Sequence, residues 1–524
     1  MGETLSRQTV QHFLNDFSEP IMTDRKFPPL PDPLRRTVLR AGAGAIALPL
    51  LHACGTSAPP DGALPPDDVG DTPPLPQPTP GTHPPRGAHV SFVDDPTSTR
   101  TVTWFTDGSD SAGTYVEYSF VDAETTEYEL VDLALDQREE GNSSEVFEVE
   151  ALTHAATITG VPEGKAIAYR VGSDGGGWTA TRLLPPNPER DRFRFCHYGD
   201  QSSSEAAVAV TNGVISRNPD LLWIAGDLSY ANGDQPVWDT WFDMLEPLAS
   251  RIPVMTSPGN HEAKDGGGAG YLSRVSQPGQ SAYYGFDYGN IHFSVSTAGC
   301  LLEGVASAVE LLAELVQLEA DLAQAALRRA LGEIDFIAVV QHYTIWTNED
   351  GRDPFNLSLV LLQEHILLRY GVDLLLVGHD HIYERSHPMA YGRAVDGGYV
   401  QITQGGGGQS LYDLLETPRG NWSAHNQLCH GFTEYEVDGP TIRGTTYTVE
   451  DADIVLFDDG RLEVIDSFEL TARSAAERAK FAKPARKRSE IVSEADWADI
   501  VRHTLVRNQL HDAIETGSVV GAGM

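Results

Sequence analysis

The sequence predicts an α/β body preceded by a separate all-β sandwich. Three observations carry this. Between about residues 87 and 185 short alternating runs follow one another with no helical period. From residue 190 to about 470 apolar strands alternate with helix-like segments, and five of those strands end in Asp, Asn or His. A chain of 524 residues is also too long for one compact core, so two or more domains are expected.

Residues 34–55, "LRRTVLRAGAGAIALPLLHACG", place two arginines before a short, mildly apolar run that ends in a small residue and a cysteine. The run is too short to span a bilayer and fits the apolar part of a signal peptide. Arg35-Arg36 followed by Thr, Val and Leu resembles a twin-arginine export signal, and "LHAC" resembles a lipoprotein box with Cys54 as the lipidated residue. Residues 1–54 are therefore expected to be a leader that exports the protein to the periplasm or cell envelope, with lipidated Cys54 as a membrane tether. Residues 55–86 are Pro-rich and carry no aromatic residue, so they read as an extended spacer.

Residues 87–186 hold the runs "RTVTWFT", "TYVEYSF", "HAATITGV" and "AIAYRVGS", separated by Gly, Pro and Asp turns. This pattern predicts a small antiparallel sandwich. His154, Trp104, Tyr118 and Tyr169 read as core or turn residues. The domain is expected to pack on the body that follows and to shape one wall of its cleft.

Net charge of −38 excludes nucleic acid as a main partner, because binding it needs Lys and Arg to neutralise phosphates. A small phosphate ester held locally by cations remains compatible with that charge. The four cysteines, Cys54, Cys196, Cys300 and Cys429, contain no CxxC pair, which excludes a thiolate zinc site and a disulfide scaffold. Cys196 reads as a buried small hydrophobe, while Cys300 and Cys429 could pair in an oxidising compartment.

The chemistry sits at the strand ends. "FRFCHYGDQS" leads to Asp200, "DLLWIAGDLSY" to Asp227 and Tyr230, and "IPVMTSPGNHE" to Asn260 and His261. "DFIAVVQHYT" leads to His342, and "DLLLVGHDH" to His379 and His381. In an α/β sheet functional groups gather where strands leave the core at their carboxyl ends. Burying these carboxylates and imidazoles together without countercharge would be prohibitive. A pair of multivalent cations removes that cost, and carboxylate, amide oxygen and imidazole suit hard-to-borderline metals.

The ordered set "GD…GDLSY…GNHE…VVQH…GHDH" resembles the calcineurin-like metallophosphoesterases, and within them the purple acid phosphatases, over about residues 87–470. The tyrosine of "GDLSY" is the specific mark. The resemblance implies a metallophosphoesterase sandwich of two mixed β-sheets flanked by helices, over residues 190–470, behind a fibronectin-III-like domain. It implies that Asp200, Tyr230 and His381 bind a first metal, that Asp227 bridges, and that Asn260, His342 and His379 complete a second site. A phenolate at Tyr230 implies Fe(III) at the first site, with visible colour, and the second site would take Fe, Zn or Mn. The implied activity is hydrolysis of phosphomonoesters at acidic pH by a hydroxide generated at the metal pair. His261 would stabilise the transition state or protonate the leaving oxygen. A diester- or nucleotide-directed hydrolase with the same site is the alternative, and a surface binding protein with a vestigial site the remote one.

Two segments depart from that family. Its D-x-G is here Asp200-Gln201-Ser202, which loses a permissive glycine. The segment after His342, "YTIWTNEDGRDPFN", has no histidine where plant-type members place substrate-contacting ones; Tyr343, Asp350 and Arg352 stand open as substitutes. Glu384 and Arg385 in "IYERSHP" are expected to buttress the site. "YVQITQGGGGQS" reads as a flexible turn near the cleft, since no Gly-Lys-Ser/Thr follows. Residues 309–331 read as a covering helix. Residues 471–524 form a basic and then amphipathic tail, with Trp497, Val501 and Leu505 at helical spacing.

Overall fold

The computed structural model describes residues 75–301, 304–449, 462–474 and 493. The expected leader with Cys54, most of the expected spacer, and the tail beyond residue 474 apart from Ser493 lie outside the described residues.

The alternating runs become strands β1 (Arg86–Ser91), β2 (Thr99–Asp107), β3 (Tyr115–Asp122), β4 (Gln137–Glu140), β5 (Asn142–Glu145), β6 (Ala151–Thr159), β7 (Lys165–Ser173), β8 (Gly177–Trp178) and β9 (Arg182–Leu184). They form two antiparallel sheets, β1-β2-β6-β5 and β4-β3-β7-β8, with β9 on β7. Val102, Trp104, Val116, Tyr118, Ile158, Tyr169 and Val171 fill the space between them. His154 is a satisfied core histidine: it hydrogen-bonds Thr106 at 2.8 Å and Thr114 at 2.7 Å and stacks on Trp104.

This sandwich grips the following body. Tyr169 O–H donates to Ser250 O at 2.7 Å, Arg86 pairs with Asp239 at 2.6 Å, and Phe105 packs edge-on against Phe242. Phe147 N–H donates to Ser273 Oγ at 3.2 Å. The contacts fall on the helix Pro236–Ala249 and on residues 250–276, so the sandwich braces the segment that follows His261. Among the described residues, none of its side chains bonds to the expected metal ligands.

The body runs through β10 (Arg192–Tyr198), β11 (Leu221–Ala225), β12 (Val254–Ser257), β13 (Tyr284–Tyr288), β14 (Ile291–Val295), β15 (Phe336–Val340), β16 (Leu374–Val377) and β17 (Tyr383–Ser386). There follow β18 (Met389–Ala390), β19 (Arg393–Ala394), β20 (Val400–Gln404), β21 (Ser423–Gln427), β22 (Gly431–Asp438), β23 (Thr441–Val449) and β24 (Leu462–Thr471). One sheet has the order β12-β11-β10-β22-β23-β24, parallel over its first three strands and antiparallel beyond. The other has the order β13-β14-β15-β16-β20-β17-β21, parallel from β14 to β20. Both sheets are mixed, as the resemblance implied.

Phe195, Trp223 and Met255 of the first sheet meet Phe293, Ala338 and Leu376 of the second in one core. The outer faces are covered as well. Helices Glu205–Arg217 and Pro236–Ala249 pack Val210, Val214 and Trp241 onto Cys196, Leu222 and Ile224. Helix Gly304–Leu331 packs Leu315 and Leu322 onto Ile337 and Val339. Burial on both faces is why "LLWIA", "FIAVV" and "LLLV" are apolar throughout. Cys196, Cys300 and Cys429 are buried and form no disulfide among the described residues, so Cys300 and Cys429 do not pair; the Cys300 thiol faces Pro258 O at 3.3 Å. Among the described residues no helix is long and apolar enough to cross a membrane.

Candidate metal centre

The two sheets bring the carboxyl ends of five parallel strands to one place. Asp200 follows β10, Asp227 and Tyr230 follow β11, Asn260 follows β12, His342 follows β15, and His379 and His381 follow β16. The chain turns sharply there: Asp200, Asp227, Tyr230 and His379 all have left-handed φ, at 60°, 51°, 59° and 69°. Each such residue costs about 1–2 kcal/mol when it is not glycine, and the four persist because the surrounding packing over-determines them. Gly259 is needed for close approach, since a Cβ there would lie 2.1 Å from Asp227 Oδ1.

All seven expected ligands converge, in two groups. In the first, Tyr230 Oη is 3.1 Å from Asp200 Oδ1 and 2.9 Å from His381 Nε2, and His381 Nε2 is 3.2 Å from Asp200 Oδ1. In the second, His342 Nε2 is 3.2 Å from each of Asp227 Oδ2, Asn260 Oδ1 and His379 Nδ1. Asp200, Asp227 and His342 each offer one atom within 4.8 Å of the others, which joins the groups. Asp200, Asp227 and His342 are all almost fully buried.

The orientation of the imidazoles tests whether a cation fits. His342 Nδ1–H donates to Ala225 O at 2.8 Å, and His381 Nδ1–H donates to Ser410 O at 2.6 Å. Each ring therefore turns its Nε2 lone pair inward. The His342 lone pair meets carboxylate and amide oxygens, and that of His381 meets the Asp200 carboxylate. Acceptors crowded together in a buried space are costly unless a positive charge lies among them. Two ligands about 2.1 Å from one metal, at a right angle, stand about 3.0 Å apart, close to the separations found here. The residues fit a cation-filled centre.

The electrostatics agree. Burial opposes protonation of His342, yet Asp227 and Asp200 outweigh it and push the imidazole up to about 9. Burial also opposes His381, which Asp200 nonetheless raises. A proton and a metal answer the same excess of negative charge. Burial, then Asp200 and Asp227, drive the Tyr230 phenol far up, so it ionises only beside a strong cation.

His261 lies at the rim. Its N–H donates to Asp227 Oδ1 at 2.8 Å, its Nδ1–H donates to Asn232 Oδ1 at 2.6 Å, and its ring is 4.2 Å from that of Tyr230. Nε2 faces Asp227 Oδ2 at 3.8 Å and Lys264 Nζ at 3.4 Å, with the side chain 22% exposed.

Several supporting residues were missed by the sequence analysis. Glu262 accepts N–H bonds from Asp227 at 2.9 Å, Leu228 at 3.0 Å and Gly259 at 2.7 Å. Burial and then Asp227 push its carboxyl up to about 7. It was in view as the last letter of "GNHE" but carried no distinguishing signal. Asn232 orients His261, and Ser410 orients His381 through a backbone carbonyl that no side-chain pattern announces. Asp380, fully buried between the two histidines, pairs with Arg352 at 2.7 Å. Of the other two residues left open, Tyr343 sets its ring 4.5 Å from that of His379, and Asp350 N–H pairs with Asp413 O.

Two expectations need revision. Gly405–Gly408 are not a flexible turn: they are buried, and a Cβ on Gly405 would lie 2.1 Å from Asp380 O. They are packed tightly beneath the ligand loops. Ser202, where a glycine was missed, takes the left-handed conformation all the same, at φ 61°. Glu384 holds Asn348 and Ser423, and Arg385 holds Asp466 on β24; among the described residues neither bonds directly to an expected metal ligand.

Known proteins show the same assembly. Residues 193–383 match the family described as calcineurin-like phosphoesterase, and residues 85–183 match the purple acid phosphatase N-terminal domain, together more than half of the chain. The chain is 26% identical to purple acid phosphatase 22 of Arabidopsis thaliana over 311 residues, 57% of this chain and 69% of that protein. It is 24% identical to purple acid phosphatase 18 of the same plant over 370 residues, 68% of this chain and 79% of that one. A solved purple acid phosphatase from yellow lupin (Lupinus luteus) seeds superimposes with a TM-score of 0.62 at 17% identity, over 78% of each chain, a likeness of fold. With both modules matched in the same order as its sandwich and its paired sheets, the chain belongs to the purple acid phosphatase family of calcineurin-like phosphoesterases.

Proposed function

We propose that this protein is an exported dimetal phosphatase that hydrolyses phosphomonoesters, best at acidic pH. The observation that carries the reading is the convergence of seven donor side chains with the Nε2 lone pairs of His342 and His381 aimed at oxygens. In this reading Asp200, Tyr230 and His381 hold one metal, Asn260, His342 and His379 hold another, and Asp227 is shared. The hard, anionic oxygen of Tyr230 favours Fe(III), and the mixed N/O set of the second site suits Fe, Zn or Mn. When bound, such a pair supplies positive charge to phosphate oxygens and acidifies water, a trivalent ion more than a divalent one, which places activity on the acid side.

The chain's own residues supply the order. Asp227 and Asp200 each commit one oxygen to a backbone N–H, of His261 and His379, which aims the other oxygen inward. Ala225 O and Ser410 O hold the tautomers of His342 and His381. Asn232 holds His261 Nδ1–H, leaving Nε2 at the rim to carry a proton to the leaving oxygen. The substrate is a small phosphate ester; nucleic acid is not a partner.

The segment without a histidine after His342 favours a second reading, a diester- or nucleotide-directed hydrolase. Rates of the metal-loaded protein on nitrophenyl phosphate and bis-nitrophenyl phosphate, from pH 4 to 8, separate the two. Faster monoester turnover at low pH supports the first reading; hydrolysis of neither ester contradicts both. Export and the Cys54 tether rest on residues outside the described ones, and membrane fractionation of wild type against Cys54→Ala tests them.

A further inference from the structure

The segment between β15 and the helix Leu357–Leu362 lacks the expected histidines, yet it is held firmly. Asn348 donates its N–H and its side-chain amide to Glu384, at 3.0 and 2.6 Å. Asp350 N–H pairs with Asp413 O, and Arg419 Nη2–H donates to Arg352 O at 2.9 Å. The backbone of Arg352 is therefore fixed from both sides.

Its guanidinium contacts two residues of "HDH", His379 and Asp380, and lies over the ring that stacks on the third, His381. Nε lies 2.7 Å from Asp380 Oδ1, and Nη2–H donates to His379 O at 3.3 Å. Cζ sits 5.5 Å from the centre of the Tyr412 ring, which stacks on His381 at 4.0 Å. Asp380 is buried and is also held by Thr344 Oγ1–H at 3.0 Å, whereas the Arg352 side chain is 34% exposed. A guanidinium offers five N–H donors in a rigid fork. One Nη2–H is committed to His379 O, Nε pairs by charge with Asp380 and, at 3.8 Å, with Glu349 without a hydrogen bond to either, and Nη1 has no bonding partner among the described residues.

A clamped but partly uncommitted fork beside a phosphate-binding centre is what bidentate recognition of a phosphate requires. The charge it supplies also discriminates. Above its second pKa of about 6 a phosphomonoester carries about 1.5–2 negative charges and a diester only about one, so the charge discriminates between them from about pH 6 upward, where the comparison is made. In a chain of net charge −38, the extra charge of the monoester needs a local cation. We infer that Arg352 is a specificity-determining residue that binds a non-bridging phosphate oxygen and makes this site prefer phosphomonoesters over diesters. The inference rests on the phosphatase reading above and names its substrate class.

The test compares metal-loaded wild type with Arg352→Lys and Arg352→Met, recording metal content and Tm for each. Kinetics on nitrophenyl phosphate and bis-nitrophenyl phosphate are set beside the Kd for orthophosphate from calorimetry. Arg352→Met is expected to raise the monoester KM and the orthophosphate Kd roughly ten- to a hundredfold, the worth of one charge-assisted hydrogen bond. Metal content should stay at the wild-type level, and diester kcat/KM should fall several-fold less than monoester kcat/KM, because the diester offers the guanidinium the smaller charge. Arg352→Lys should recover part of the loss, because it keeps the charge and the pair with Asp380 but not the fork. Equal losses on both esters, an unchanged orthophosphate Kd, or losses that follow metal content would make Arg352 a brace for Asp380 and overturn the inference. A wild type that hydrolyses neither ester, yet binds orthophosphate more tightly than Arg352→Met, would overturn the phosphatase reading and support the binding role.

Discussion

His342 Nε2 lies 3.2 Å from Asp227 Oδ2, while the hydrogen of that imidazole is committed on the opposite side to Ala225 O. A lone pair and a carboxylate oxygen face each other with almost no water-exposed surface on either residue. Only a positive charge between them makes the contact favourable, and the same relation holds for His381 and Asp200.

Glu262 should matter to metal binding without being a ligand. Its carboxylate takes three backbone N–H bonds, two of them from Asp227 and Gly259, and so sets where the Asp227 side chain starts. Glu262→Gln turns one acceptor into a donor facing those N–H groups. The expected result is a folded protein whose metal affinity falls by roughly 10- to 100-fold, measured by competition with a chelator.

Ser202 holds a left-handed φ that favours glycine. Ser202→Gly should leave Tm unchanged or raise it, because the lost strain offsets the added freedom of the unfolded chain. Ser202→Val, branched at Cβ, should cost about 1–2 kcal/mol or more. Thermal melts of the two variants check the contrast.

Glu364 gives the fold a pH dependence away from the metal centre. Burial pushes its carboxyl up from 4.5 to about 7, even though Tyr391 N–H, Tyr399 O–H and Trp346 Nε1–H donate to it. The folded state therefore keeps a proton that the unfolded chain releases, and stability falls as pH rises from 4.5 to 7. The contribution is on the order of 3 kcal/mol. Denaturant unfolding at pH 4.5 and pH 7 should show a smaller difference for Glu364→Gln than for wild type.

Much of the centre was legible because apolar strands such as "LLLV" and "FIAVV" stop abruptly at groups that cannot be left bare in a core. The pairing of the sheets was not. β22, β23 and β24 join the first sheet from the far end of the chain, β22 pairing antiparallel with β10, and no local pattern names that partner. Gly405–Gly408 misled for a related reason. Four residues without side chains look pliable in isolation, whereas the backbones that crowd them, at Gly199, Gln201, Asp380 and Cys429, are distant in sequence. Asn232 and Arg352 carry chemistry only through neighbours that the fold supplies.

Metal analysis of purified wild type, with a visible absorption spectrum taken beside that of Tyr230→Phe, tests the centre most directly. The account predicts about two metals per chain, one of them iron, and a visible band that disappears in Tyr230→Phe. A colourless wild type without iron would contradict it.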